Sequence, residues 1–147
     1  AGVECGESYG FLPGELDEKL EPYYIPIKDT LRRVAGTGNA DYFMRRKIID
    51  FRPVAFMRGS TFQDSIIILD EAQNMTPTQM KMFLTRIGEN CKVIINGDMT
   101  QQDIKGMSGL MDAVKRLRSV RRVAIIEFSL QDVVRSGIVK DILRAYS

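Results

Sequence analysis

Histidine and tryptophan are absent from this 147-residue chain, cysteine occurs only twice, and charge of one sign hardly exceeds the other. Without histidine there is no imidazole general base, no Ser-His or Cys-His nucleophile pair and no His-ligated zinc. Any catalysis must use carboxylates, lysine, arginine or a bound metal. Cys5 and Cys91 lie far apart and form no CxxC pair, so they read as free thiols of a reducing compartment. The 21 Lys and Arg against 19 Asp and Glu leave a net charge of +2, which points to no anionic partner by itself. A nucleic-acid argument therefore has to rest on local patches. No apolar run approaches the ~20 residues of a membrane span and no charged-then-apolar leader opens the chain. A cytoplasmic protein without a membrane segment is the expectation. The first residue is Ala1 rather than Met, which suggests a fragment or a processed product.

The 44% hydrophobic content is enough for one domain with a real core. After a Gly-rich opening (Gly6, Gly10, Gly14), Leu20, Tyr24, Ile27, Leu31 and Val34 recur at helical steps, with Pro22 and Pro26 making the start irregular. A loop is expected at Gly36, Gly38 and Asn39, and short extended pieces around Ile48 to Phe56. Ile66-Ile67-Ile68-Leu69 is a continuous apolar run of the kind that forms a parallel strand covered on both faces. The next helix has its start written out: Thr76 as N-cap, Pro77 in the first helical position and Gln79 completing a capping box. Met80, Phe83, Leu84 and Ile87 form its buried stripe, and Gly88 is the expected left-handed stop. Val93 to Ile95 make a second strand, Leu110 to Leu117 a helix, and Val123 to Phe128 a third strand. Ser129 and Asp132 can start a short helix, and Ile138, Ile142 and Tyr146 line a last one. Alternating strands and helices predict parallel pairing with helical crossovers in a single α/β domain.

The run Ile66 to Leu69 ends in Asp70-Glu71. Ligands of open α/β sheets bind beyond the carboxyl ends of strands, so Asp70 is placed to hold Mg²⁺ and Glu71 to polarise a water attacking a γ-phosphate. The plainer alternative is that the two residues only begin a loop. The second strand runs likewise into Asn96-Gly97-Asp98-Met99-Thr100-Gln101, where Gly97 permits a sharp turn and the Gln101 amide can sense the γ-phosphate. A turn alone would explain either strand end; two such ends side by side favour one Mg-phosphate site.

The stretches GESYGFLPGELDEKLEPY, FMRGSTFQDSIIILDEAQNMTPTQMKMFLTRIG, KVIINGDMTQQD and DVVRSGIVKDIL occur in order, and through them nearly the whole chain resembles the C-terminal two-thirds of PhoH-family proteins. The resemblance implies a RecA-like P-loop NTPase core with a parallel sheet, truncated at its N-terminus so that the Walker A strand and loop are missing. It implies ATP and Mg²⁺ as cofactors, ATP hydrolysis related to that of superfamily 1 helicases, a link to RNA or single-stranded nucleic acid, and a homo-oligomeric ring. By it Asp70 and Glu71 match the Walker B pair, with Asp70 the metal residue, and Gln73 and Asn74 extend the motif. Gly97, Asp98 and Gln101 match the motif that couples the phosphate site to nucleic acid. Arg135 in DVVR matches a late arginine that acts as a finger on a neighbour's nucleotide, the alternative being a structural ion pair. Arg58 of FMRG is a candidate for nucleic-acid contact, and so is the cluster Lys115, Arg116, Arg118, Arg121 and Arg122, whose alternative is a solvated face. The departures are two. Gly36-Thr37-Gly38-Asn39 lacks the lysine and hydroxyl of GxxxxGK[ST], so the phosphate-cradling loop is not in this chain, and Ser136-Gly137 stands where the family pattern has His after the arginine. A complete ATP site is therefore not expected from these residues alone. The competing class is a non-catalytic RNA-binding or ring-forming subunit on a degenerate ATPase scaffold.

Overall fold

In the computed structural model the described residues are 16–54, 57, 59, 61–129, 132, 134 and 136–146. They belong to two compact units, Ala1–Lys115 and Arg116–Ser147.

The first described element of the first unit is α1 (Leu16–Ala35), which runs through Pro22 and Pro26 without interruption. The expected loop after it is a single residue. Gly36 turns the chain at φ 81°, and α2 (Thr37–Arg45) begins at once, folding back on α1 over the fully buried Ala40. The Asn39 amide donates to the Ala35 carbonyl at 2.9 Å, supplying a partner to an α1 end group that the helix itself leaves unbonded. α2 stops in a Schellman arrangement: Lys47 N–H donates to Met44 O and Ile48 N–H to Phe43 O, with Lys47 in the left-handed region at φ 53°. The extended pieces expected between Ile48 and Phe56 are not strands among the described residues, although Val54 is buried.

β1 (Ile66–Leu69) and β2 (Lys92–Ile95) pair in parallel, Ile66 opposite Lys92 and Leu69 opposite Ile95. Between them α3 (Pro77–Leu84) supplies the crossover that parallel neighbours require. Its start is as the sequence predicts. Gln79 N–H donates to the Thr76 hydroxyl, Thr76 N–H donates to Gln79 Oε1 at 2.8 Å, and Pro77 occupies the first helical position. Met80 and Phe83 are buried beneath it, and Phe83 meets Phe62 edge-on with ring centroids 6.3 Å apart.

Three sequence expectations need correction here. The helix stops at Thr85 rather than Gly88; Gly88 serves closeness instead, since a Cβ there would run into the Phe62 carbonyl that its own N–H binds at 3.0 Å. β1 is not covered on both faces: Leu69 is buried, but Ile66 and Ile68 are 71% and 68% exposed, because a two-stranded sheet with one crossover covers one face. The third strand is absent among the described residues. Val123 to Phe128 lies in the second unit, which has no other strand among its described residues, and Ile126 and Phe128 stay exposed.

α4 (Gly109–Leu117) begins against the α3 cap, Gly109 N–H donating to Met75 O at 2.6 Å. A Cβ at Gly109 would come within 2.6 Å of the Thr76 carbonyl, so only glycine allows this approach. The second unit carries the Arg118–Glu127 ion pair at 2.9 Å and ends in α5 (Gly137–Tyr146). The Ser129 N–H and hydroxyl both bind Asp132 Oδ2, the start signal expected there. Among the described residues no helix is long and apolar enough to cross a membrane.

Candidate functional site at the carboxyl ends of the two strands

β1 delivers Asp70 and Glu71, and β2 delivers Asn96 to Gln101, to the same edge of the sheet. The parallel register makes this unavoidable. Leu69 pairs with Ile95, so the residues following each strand emerge side by side.

Three cross-links then tie the two ends together. Asn96 Nδ2 donates to Asp70 Oδ1 at 2.9 Å, while the Asn96 carbonyl accepts from Ala72 N–H at 3.0 Å. Gln73 is the centre of the second link. Its side chain is 1% exposed, its Nε2 donates to Glu71 Oε2 at 2.6 Å, and its Oε1 accepts from Asp98 N–H at 3.1 Å. The third is Asn74, whose Oδ1 accepts from Asp103 N–H at 2.9 Å. Burying an amide is unfavourable unless its hydrogen bonds are made, and Gln73 makes one at each end.

Glu71 itself stands at φ 53° at the mouth of the 3₁₀ turn Ala72–Asn74. A left-handed conformation costs a non-glycine residue on the order of 1 kcal/mol, and such strain clusters at functional positions. The conformation turns the exposed carboxylate back to Gln73, which holds one oxygen; Oε1 accepts no hydrogen bond among the described residues. Gly97 explains itself in the same frame. A Cβ there would lie 2.6 Å from Gln73 Oε1 and 2.8 Å from Leu110 Cδ2, so any larger residue would push out the buried amide.

Asp98 is bound within its own loop. Thr100 donates to Oδ1 from its hydroxyl at 2.7 Å and its N–H at 2.9 Å, and Gln101 Nε2 donates to Oδ2 at 2.8 Å. The Thr100 hydroxyl, then its N–H, hold the Asp98 carboxyl below the ordinary aspartate range against a small opposing effect of burial. Gln101, expected to sense a γ-phosphate, thus spends its amide on Asp98 in this conformation.

The sequence-predicted residues divide accordingly. Asp70, Glu71, Gln73, Gly97, Asp98 and Gln101 come together at one sheet edge. Lys115 closes the first unit, and Arg116, Arg118, Arg121 and Arg122 open the second, with Arg118 engaged by Glu127. Arg58 and Arg135 lie outside the described residues. The sequence places Asn96 at the polar end of the second strand but assigns it no role of its own, although an amide directly after an apolar run is a usable signal.

No three acidic, histidine or cysteine side chains cluster to hold a metal among the described residues. A divalent ion here would have the Asp70 carboxylate as its protein ligand, with waters and substrate oxygens completing the shell. That donor set suits Mg²⁺, which keeps several waters and takes one or two carboxylates beside phosphates.

This architecture, an α/β unit whose parallel strands end in Asp-Glu and in Asn-Gly-Asp, is compatible with a fragment of a P-loop NTPase. The family model described as PhoH-like protein matches residues 1–147, and the chain belongs to that family. It is 50% identical over 146 residues to the PhoH-like protein of Bacillus subtilis, covering 98% of this chain and 46% of that protein. It is 47% identical to Protein PhoH of Escherichia coli K12, covering 99% of this chain and 42% of that protein. The PhoH-like protein of Mycobacterium tuberculosis H37Rv is 46% identical, with the same two shares of 99% and 42%. The chain thus spans less than half the length of the curated relatives it matches.

Proposed function

We propose that this chain supplies the metal-holding and water-activating half of an ATP-hydrolysing site on a RecA-like core. The observation that carries the reading is the hydrogen-bonded joining of two parallel strand ends around Asp70 and Glu71, with Gln73 buried between them. Mg²⁺, when bound, would supply positive charge to offset that on the phosphates. Asp70 holds the ion, directly or through water, with its carboxylate oriented by Asn96. Glu71 accepts a proton from the attacking water at Oε1, because Oε2 is held by Gln73. Gln73 is a positioning residue: fully enclosed, it reaches no ligand and sets the angle of Glu71 while fixing the Asp98 backbone. Gln101 is held beside Asp98 by one amide N–H, which leaves its second N–H and its Oε1 to meet a phosphate or the attacking water. Phosphate cradling falls to a GxxxxGK[ST] loop in a longer form of the protein. There Arg135 would act on a neighbouring subunit's nucleotide, which calls for a homo-oligomer, and RNA or single-stranded nucleic acid is the partner of the assembled ATPase.

The assignment of Asp70 is tested by calorimetry on that longer form, with Mg²⁺ and again with EDTA. Asp70→Ala is expected to weaken Mg·ATP binding ~10-fold or more and to leave metal-free ATP binding unchanged. Equal loss under both conditions would show that Asp70 is structural.

A further inference from the structure

The α1–α2 hairpin carries a feature that the nucleotide reading does not use. Along it, between the two helices and the segment that follows, lies an open concavity of about 640 Å³. Its lining includes four cations, Lys28, Arg32, Arg45 and Lys47, against two carboxylates, Asp41 and Asp50. Two of these cations are already compensated. Lys28 Nζ pairs with Glu21 at 2.8 Å, and Arg32 pairs with Asp41 at 3.2 Å. Asp50 is taken by Arg52 at 2.8 Å, outside the lining. Arg45 and Lys47 have no ion pair among the described residues and are exposed, so the concavity keeps uncompensated positive charge.

Two details make this more than a solvated helix end. Lys47 holds the left-handed position of the turn at φ 53°, where glycine is unstrained and a lysine is not. Beside the concavity, Tyr42 is 45% exposed with the Arg46 guanidinium 5.9 Å from its ring centroid, which places a planar ring and a planar cation next to the free charges. Positive charge along a groove with an aromatic face at its edge is the arrangement that binds single strands: cations follow the phosphates and bases stack on rings or guanidinium planes. The volume accommodates a nucleotide-sized unit rather than one inorganic ion. An acidic peptide would use the cations but would have no use for the exposed aromatic ring beside them.

We propose that the α1–α2 hairpin is a binding surface for the phosphodiester backbone of single-stranded nucleic acid, with Arg45 and Lys47 on the phosphates and Tyr42 under a base.

The test is fluorescence anisotropy of a short labelled oligouridylate with the 147-residue chain over a series of salt concentrations. It is run in EDTA without nucleotide, so its failure leaves the Mg·ATP reading standing and failure of that reading leaves this one. Arg45→Gln/Lys47→Gln is expected to weaken binding ~10-fold or more and to flatten the slope of log K against log salt by roughly 1.4, two contacts at about 0.7 each. A charge-matched control, Lys81→Gln/Lys105→Gln, should stay close to the parent, and far-ultraviolet circular dichroism confirms that both variants fold. Loss of the same size in both doubles would reduce the effect to net charge and overturn the proposal, as would no loss in the first. Displacement of the oligonucleotide by polyglutamate as readily as by unlabelled strand would assign the surface to acidic protein instead. Displacement by ATP at comparable concentration would assign it to a mononucleotide.

Discussion

Glu71→Gln is expected to lower ATP hydrolysis by ~10²-fold or more in a longer form of this protein that includes a phosphate loop, while ATP affinity stays within about twofold. The two parts of this result have separate causes. Glutamine keeps the size of the side chain, and after a flip of its amide it can still meet Gln73, so the link from β1 to the Asp98 loop survives. What it cannot do is take a proton from water at the position of Oε1. The loss should appear in kcat, with KM little changed, because the missing interaction is made only as the water attacks. Steady-state kinetics with a parallel equilibrium binding assay separates the two. If kcat falls less than about fivefold, or if binding and turnover fall together, Glu71 is not the base.

Phe83→Ala should cost about 3–5 kcal/mol of stability, the range for emptying a large aromatic site in a packed interior. Phe83 is 1% exposed and leans on Phe62, whose backbone is bound on both sides, its N–H to Arg86 O and its carbonyl to Gly88 N–H. The segment before β1 and the end of α3 are thereby fastened to each other, and little freedom remains for the site to collapse around a lost ring. With a chain of this length the melting temperature should drop on the order of 10 °C. Urea unfolding gives the free energy directly, and a loss under about 1 kcal/mol would mean that the Phe62–Phe83 contact does not anchor the crossover.

The parts of this molecule that were legible in the sequence are those with local causes. The capping box of Thr76 and Gln79, the apolar runs of β1 and β2, and the Asp70-Glu71 pair at a strand end are each written within a few residues and appear as read. The parts that were not legible depend on what lies opposite. An isoleucine run states a demand for burial but not whether a neighbour exists to meet it, and so Ile66 and Ile68 are largely exposed and Val123 to Phe128 pairs with no strand among the described residues. Gly36 and Gly88 do other work than their local sequence suggests, for the same reason. One is a single-residue break rather than part of a loop, and the other makes room for a carbonyl 26 positions away in the chain rather than ending a helix. Within the site, the residue types pointed to metal and water chemistry, but the work of Gln73 was not visible: its two bonds run to Glu71 and to Asp98, and the second exists only once the strands pair. The cations of the α1–α2 hairpin were hidden likewise, because Lys28 and Arg45 share a concavity only after Gly36 folds α2 back.

The central claim is that the two strand ends form one metal-nucleotide site, and the most direct measurement locates the ion. With Mn²⁺ in place of Mg²⁺, paramagnetic broadening in the ¹⁵N-resolved spectrum of a longer form that includes a phosphate loop reports which backbone amides lie near it. The account predicts broadening at Asp70 to Ala72 and at Asn96 to Asp98 together, appearing when ATP accompanies the ion and lost in Asp70→Ala. Broadening that centres on another part of the fold, or that spares both strand ends at high Mn·ATP concentration, would contradict it.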